Sequence, residues 1–173
     1  MNKESLATSK TKTYFSTKVI ARTGIVAALY MVATLAVEPL AFGAIQLRFS
    51  EVMVLLAFID PLYSIGLIIG CAISNLYSPV GAVDVIFGTL GTVVAVIGVS
   101  KSKSLLMATI WPTLSMTIVT IGISLGAGIP YLPTLVTVML GEFAVVTCIG
   151  YPIFKKILQD TKLVDILKIN NLR

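Results

Sequence analysis

The chain has 173 residues, of which 57% are hydrophobic and 12% charged, and its formal net charge is +5. A soluble domain has about 25% charged residues, so this composition excludes most soluble classes and is typical of an integral membrane protein. The length suits one compact bundle, and we expect no separate soluble catalytic domain. There is no His, which removes the commonest metal ligand and the usual proton relay at neutral pH.

The N-terminal part of the chain is polar before it becomes apolar. Residues 1–17 are rich in Ser, Thr and Lys, and we expect them to form a cytoplasmic tail. The apolar run at residues 18–37 has about the length that is needed to cross a bilayer. Within it, Ala21, Gly24 and Ala28 have helical spacing and small side chains, which predicts a face that another helix can approach closely.

A loop and a short helix follow. Residues 39–50 form a predicted outer loop in which polar and apolar residues alternate. Residues 51–59 form a predicted helix that is too short to cross the hydrocarbon core alone. The pair Asp60–Pro61 ends this helix, and Asp60 is expected to cap the next one.

The next predicted helix, residues 62–77, has small residues on one face. Gly66, Gly70 and Ser74 recur every four residues, which predicts a second seam where another helix packs closely. A turn at residues 78–81 then leads to the remaining helices.

Three longer apolar helices complete the predicted bundle, at residues 82–99, 105–125 and 134–154. The sequence therefore predicts an all-α integral membrane fold with six transmembrane helices between residues 18 and 155. A C-terminal cytoplasmic tail, residues 156–173, follows.

The basic residues predict the orientation of the bundle. Nearly every Lys and Arg lies in the two tails or in the loop at residues 100–104, and basic segments of membrane proteins stay in the cytoplasm. Both termini are therefore predicted to be cytoplasmic, in a multi-pass protein of the cell membrane. Because the membrane topology accounts for the positive net charge, we expect the lipid bilayer as a partner and expect no binding of nucleic acid.

The few polar side chains within the apolar sequence are the candidate binding residues, because an ionisable group at bilayer depth needs a partner, a wet cavity or a ligand. Glu142 is the first candidate, and its structural alternative is a salt bridge to Arg48. Asp84 also suits the dipole at the start of its helix. Arg48 and Glu51 are three residues apart and could neutralise each other. Two amides complete the set: Asn75 and Gln46.

No group of residues suggests catalysis. The sequence has no nucleophile–His pair, no cluster of metal ligands and no phosphate-binding glycine loop. Cys71 and Cys148 lie far apart in apolar runs, and we predict small buried residues at both positions. We therefore expect a protein that is not an enzyme and that holds no cofactor or metal.

Two segments, IQLRFSE (residues 45–51) and GLIIGCAISNLYSPVGAVDVIFGTLGT (residues 66–92), resemble the QueT family of membrane proteins. Members are substrate-binding S-components of energy-coupling factor (ECF) vitamin transporters, assigned to queuosine precursors. The resemblance extends over residues 18–155. It implies six helices, a ligand pocket near the outer face and a lid formed by residues 39–50.

The resemblance also implies partners. S-components dock through small residues of their first helix, here Ala21, Gly24 and Ala28, onto a coupling membrane subunit that has two ATPases beneath it. Gly24 stands where Ala is more usual, and this change keeps the surface small. Toppling of the whole S-component is then expected to release the ligand inside the cell.

The polar residues suit a deazaguanine base, the ligand that the resemblance implies. Such a base has adjacent ring N–H and amine donors that one carboxylate can accept, and an aminomethyl precursor is also a cation. Candidate carboxylates are Glu142, Asp84 and Glu51. Candidates for the carbonyl and ring edges are Asn75 and Gln46, and candidates for stacking on the base are Phe87 and Tyr77.

Other functions remain open at this point. One is an S-component for a flavin, folate or thiamine. A stand-alone secondary carrier is disfavoured by the lack of a visible inverted repeat. A structural subunit with internally paired charges and a membrane enzyme are the last two alternatives.

Overall fold

The fold is a bundle of helices of unequal length. A computed structural model describes residues 17–169. The parts of the predicted tails at residues 1–16 and 170–173 lie outside this range. The helices are α1 (Thr17–Leu35), α2 (Glu38–Ala41), α3 (Leu56–Ile59), α4 (Tyr63–Asn75), α5 (Ala82–Lys101), α6 (Leu105–Ala127), α7 (Tyr131–Glu142), α8 (Tyr151–Gln159) and α9 (Thr161–Leu167). The all-α prediction is confirmed, since residues 17–169 contain no strand.

Two segments depart from regular α-helix. Residues Phe49–Leu55 form a 3-10 helix that continues into α3. Residues Phe143–Gly150 form a π-helix that joins α7 to α8, and the three together make one continuous helix, Tyr131–Gln159. Such irregular turns within helices are frequent at functional sites. Here the π-helix begins directly after Glu142.

Four helices are long and apolar enough to cross a membrane: Thr17–Leu35, Ala82–Lys101, Leu105–Ala127 and Tyr131–Gln159. Two shorter apolar helices, Phe49–Ile59 and Tyr63–Asn75, lie between the first and the second of these. All six predicted helical segments are therefore helical, and four have spanning length. That all six cross the bilayer, with both termini in the cytoplasm, stays a prediction.

The predicted close-packing seam on α4 is confirmed. A methyl group at Gly66 would collide with the carbonyl oxygen of Thr23 in α1, and one at Gly70 would lie 2.8 Å from that of Ala27. Ser74, on the same face, is buried and donates to the Gly70 carbonyl at 2.7 Å. The backbones of α1 and α4 meet here because glycine leaves no side chain between them.

Replacing Gly70 with Ala should lower the free energy of unfolding by about 1–3 kcal/mol, the usual cost of forcing an extra methyl group into a filled core. The matched control is Gly24→Ala in α1, where a methyl group would have no atom within 4 Å. Thermal melting of both variants in detergent checks the difference. Equal melting temperatures would contradict the close approach at Gly70.

The end of the described chain returns to the bundle. Three hydrogen bonds attach the backbone of this segment to the bundle. Tyr63 Oη donates to the Leu167 carbonyl at 2.6 Å, Arg22 Nη1 donates to the Lys168 carbonyl at 2.9 Å, and the Ile169 N–H donates to Asp60 Oδ2 at 2.8 Å. The Asp60 carboxylate also accepts the N–H of Leu62 at 3.0 Å, in the turn that leads into α4. Part of the predicted C-terminal tail is thus folded against the bundle.

The two cysteines differ in burial. Cys71 is buried, as predicted, whereas Cys148 is exposed, so the prediction for Cys148 was wrong. Cys148 lies in the π-helix, within an apolar run. An apolar run that faces lipid has the same composition as one that faces the core, so hydropathy does not separate the two.

Candidate functional site

Buried polar side chains gather where the 3-10 helix meets α1, α5 and the π-helix. Arg48, Glu51 and Glu142 are exposed by 5%, 3% and 2%. Together with Gln46 they line an inner cavity of about 10 Å³, which has room for about one water molecule. The rest of its lining is Gly88, Thr92, Met116 and Val119. The structure therefore brings four of the predicted site residues together.

Arg48 and Glu51 form a pair, as their spacing predicts. Arg48 Nη1 lies 3.9 Å from Glu51 Oε1, and the Arg48 guanidinium carbon lies 5.1 Å from the centre of the Phe42 ring. Glu142 forms no ion pair with the described residues, so the alternative of an Arg48–Glu142 salt bridge is not supported. The Nη2 atom of Arg48 is buried without a hydrogen-bond acceptor.

Helix α1 contributes two polar partners that the sequence analysis did not single out. The hydroxyl of Tyr30, which is fully buried, donates to Glu51 Oε1. The hydroxyls of Thr34 and Ser50 lie 2.7 Å apart. In an apolar run such residues look like ordinary core. The sequence signal that could have identified them is the four-residue spacing of Tyr30 and Thr34, which places both on one face of α1. Polar groups in a membrane helix need partners, so such a face is expected to meet other polar residues.

Glu142 lies at the end of α7, where a loop approaches the helix closely. A side chain at Gly141 would collide with the carbonyl oxygen of Ile45, so glycine is required for this contact. The Oε1 atom of Glu142 is buried and has no hydrogen-bond partner. A buried polar atom without a hydrogen-bond partner lowers the stability of the fold by about 1–3 kcal/mol, and a hydrogen-bond donor on a ligand would remove that cost.

Asp84 and Asn75 form a second polar cluster beside Gly88. Both residues are fully buried, and Asn75 Nδ2 donates to the main-chain carbonyl of Asp84 at 3.3 Å. Both carboxylate oxygens of Asp84, and Asn75 Oδ1, have no hydrogen-bond partner. Asp84 lies in the first turn of α5, where a carboxylate suits the helix dipole as expected, although α5 begins without a side-chain cap.

Tyr77 and Phe87 line neither of the two cavities. Tyr77 is 58% exposed. Phe87 packs against α6, where a side chain at Gly122 would meet its Cβ. The lining of the inner cavity includes neither residue. Their predicted stacking role has no support from this arrangement.

A larger cavity, of about 430 Å³, lies about one helical turn from the inner one. Ile123 and Val138 in its wall are four residues from Val119 and Glu142 of the inner cavity. The larger cavity is bounded by the segments at residues 42–46, 79–80 and 127–134. These segments lie in or beside the loops that the basic residues assign to the outer face. Small-molecule sites commonly have about this volume.

Gln46 lines both cavities and so separates them. It is buried, and its φ of 51° is the one positive value at a non-glycine residue within 17–169. This conformation costs about 1–2 kcal/mol for a residue with a Cβ. Such strain is typical of ligand clamps and switch segments.

Comparison with known proteins identifies the family. Residues 20–159, which are most of the chain, match the family model described as QueT transporter. The chain belongs to the QueT transporter family. A curated relative, the queuosine precursor transporter QueT of Lactococcus lactis subsp. cremoris (strain MG1363), is 35% identical over 78% of this chain and 87% of its own length. No solved structure matches the chain.

Membership in the QueT family confirms the resemblance found in the sequence. The family consists of transporters, so the prediction that the chain is not an enzyme is confirmed as well. With four helices of spanning length, the chain is a membrane transport protein.

The small residues of α1 that the QueT resemblance assigns to docking face outward. Ala21, Gly24 and Ala28 are all exposed. They lie among large apolar side chains of α1 that are also exposed: Ile20, Ile25, Leu29 and Val32. The face is free to meet lipid or another membrane protein, and docking onto a coupling subunit stays a prediction.

Proposed function

We propose that this chain is the substrate-binding S-component of an ATP-driven ECF importer in a bacterial plasma membrane, and that it binds a queuosine precursor with a deazaguanine base. The relative's name supplies the substrate class. The structural observation that carries the proposal is an excess of unpaired hydrogen-bond acceptors in the buried polar clusters.

Four acceptor atoms and one donor group in these clusters have no partner. The acceptors are Asn75 Oδ1, Asp84 Oδ1, Asp84 Oδ2 and Glu142 Oε1, and the donor group is Arg48 Nη2. The other unpaired groups are hydroxyls, which can donate or accept: Thr89, Thr113 and Ser124. The complementary ligand has several N–H groups and a carbonyl. One edge of a deazaguanine base has this pattern.

The roles that we propose for the charged residues are chosen to fit their existing contacts. Glu142 accepts the ring N–H and the amine of the base, and Arg48 Nη2 donates to its carbonyl. Glu51 is already engaged by Tyr30 and Arg48, so it orients Arg48. The side-chain amide of Gln46 forms hydrogen bonds with the remaining polar edge of the base.

The ligand enters through the larger cavity. The inner cavity, at about 10 Å³, is too small for a base, so Gln46 and the loop at residues 39–50 must move when the ligand reaches Glu142. The strained backbone at Gln46 supports this loop as the lid.

In this proposal, ATPase partners supply the energy for transport, which agrees with the lack of a phosphate-binding glycine loop in the sequence. A coupling membrane subunit docks on the exposed face at Ala21, Gly24 and Ala28, and two ATPases bind beneath it. Toppling of the chain on this module releases the ligand inside.

Calorimetric titration of the purified protein in detergent tests the proposed ligand. We expect tight binding of 7-aminomethyl-7-deazaguanine and weaker or no binding of guanine, riboflavin and thiamine. Binding of riboflavin or thiamine in its place would favour an S-component for another vitamin. If none of the four bound, the proposed substrate class would be wrong.

A further inference from the structure

We infer that Asp84 and Asn75 form a separate subsite that takes a primary ammonium group carried by the ligand. This inference rests on the proposed function, since it concerns a substituent of the proposed base. It goes beyond that function by naming the residues that would make the chain prefer an aminomethyl precursor to a neutral one.

The cluster has three unpaired acceptors and no free donor. Both carboxylate oxygens of Asp84, and Asn75 Oδ1, are buried without a partner. The amide nitrogen of Asn75 is occupied, because it contacts the Asp84 carbonyl at 3.3 Å and Cys71 Sγ at 3.4 Å. These contacts fix the amide so that its oxygen is left for a ligand.

The Thr92 hydroxyl, on the same helix as Asp84, does not supply the missing donor. Thr92 Oγ1 lies 3.0 Å from Cys71 Sγ and 3.1 Å from the carbonyl oxygen of Gly88, and these two acceptors share its single proton. Asp84 takes part in neither of the ion pairs found within residues 17–169. The carboxylate of Asp84 therefore forms no ion pair with the described chain, and Arg48 acts on it only electrostatically, without direct contact.

An ammonium group complements this arrangement. It has three N–H donors and no acceptor, so it matches the three free oxygens in number and places a positive charge directly against a carboxylate that forms no ion pair. A divalent metal ion fits less well, because Mg²⁺ and Ca²⁺ require about six or more oxygen ligands. No group of residues suited to a metal occurs among residues 17–169.

Gly88 connects this subsite to the inner cavity. It lines the cavity, and a methyl group there would collide with the amide nitrogen of Asn75 and lie 3.4 Å from Asp84 Oδ1. The absence of a side chain therefore brings the carboxylate within reach of a short substituent. A base held by Glu142 and Arg48 would place an aminomethyl arm past Gly88.

The subsite should distinguish precursors by charge. The nitrile of 7-cyano-7-deazaguanine is neutral, and its nitrogen is an acceptor that would face three other acceptors. Hydrogen bonds to charged groups have about twice the strength of neutral ones. We therefore expect the aminomethyl compound to bind at least about 10-fold more tightly than the cyano compound.

Calorimetric titration of the full chain with both compounds tests the subsite. In Asp84→Asn we expect the affinity for the aminomethyl compound to fall about 10-fold or more, while the affinity for the cyano compound stays within about 3-fold. In Glu142→Gln, the matched control, both affinities should fall together, because this carboxylate contacts the part that the two ligands share.

The outcomes separate this inference from the proposed function. If the unaltered protein bound the cyano compound as tightly as the aminomethyl one, the ammonium subsite would be overturned and the substrate class would stand. The same holds if Asp84→Asn weakened both compounds equally or neither. If the Asp84→Asn variant did not fold, the ratio of the affinities of the unaltered protein for the two compounds would decide whether the subsite exists. If the unaltered protein bound neither compound, the proposed function would fail.

Discussion

Replacing Glu142 with Gln should lower the affinity for a deazaguanine ligand by about 10- to 100-fold, because a carboxylate that accepts two N–H donors becomes an amide with only one acceptor. The amide also places its own N–H₂ against the donors of the ligand. The fold should survive, since the Oε1 atom of Glu142 has no hydrogen bond to lose and the two side chains have nearly the same shape. Calorimetric titration measures the affinity, and thermal melting checks the fold.

The matched control for this variant is Glu38→Gln in α2, where the side chain is exposed. We expect its affinity to be unchanged. If the Glu142→Gln variant bound the ligand with unchanged affinity, we would assign the ligand-binding carboxylate to Glu51 or Asp84 instead. If amide variants at all three positions bound normally, the proposed polar site would be wrong.

Replacing Gly24 with Trp should abolish uptake and leave ligand binding intact. The indole would fill the small-residue face that docking onto a coupling subunit requires. The fold should tolerate it, because nothing lies within 4 Å of a Cβ at this position and the surrounding face of α1 is exposed. Uptake by cells that contain the whole importer is compared with binding to the purified chain.

The control for the docking variant is Ile86→Trp in α5, a side chain that is 58% exposed on another face. It adds similar bulk to the membrane surface and should leave uptake unchanged. Equal losses in the two variants would show a general effect of bulk and not docking. Uptake by the chain alone in liposomes would instead establish a secondary carrier.

Local patterns in the sequence predicted those features that depend on local spacing. The apolar runs predicted the helices, although the last one extends over Tyr131–Gln159 and not over the predicted residues 134–154. The seam at Gly66 and Gly70 was predictable because its spacing alone defines a face. The Arg48–Glu51 pair was predictable for the same reason.

Features that depend on which helix face points inward were not predictable. In a membrane protein both the core-facing and the lipid-facing sides of a helix are apolar, so hydropathy does not distinguish them. The sequence therefore missed Tyr30 as the partner of Glu51, and the stacking role of Tyr77 and Phe87 stays a prediction. For a charged residue such as Glu142 the ambiguity disappears, because lipid is not an acceptable neighbour.

The attachment of the C-terminal segment has a consequence for comparing relatives of this protein. The segment is held through the carbonyls of Leu167 and Lys168 and the N–H of Ile169, groups that every residue other than proline has. Residues 167 and 168 can therefore differ among relatives while the contact persists. The match to the family model ends at residue 159, yet the side chains that hold the segment lie at positions 22, 60 and 63, inside the matched range. A relative with the same Arg, Asp and Tyr there is expected to have a docked segment even where residues 167 and 168 differ, provided that residue 169 stays apolar, because the Ile169 side chain is buried in the core.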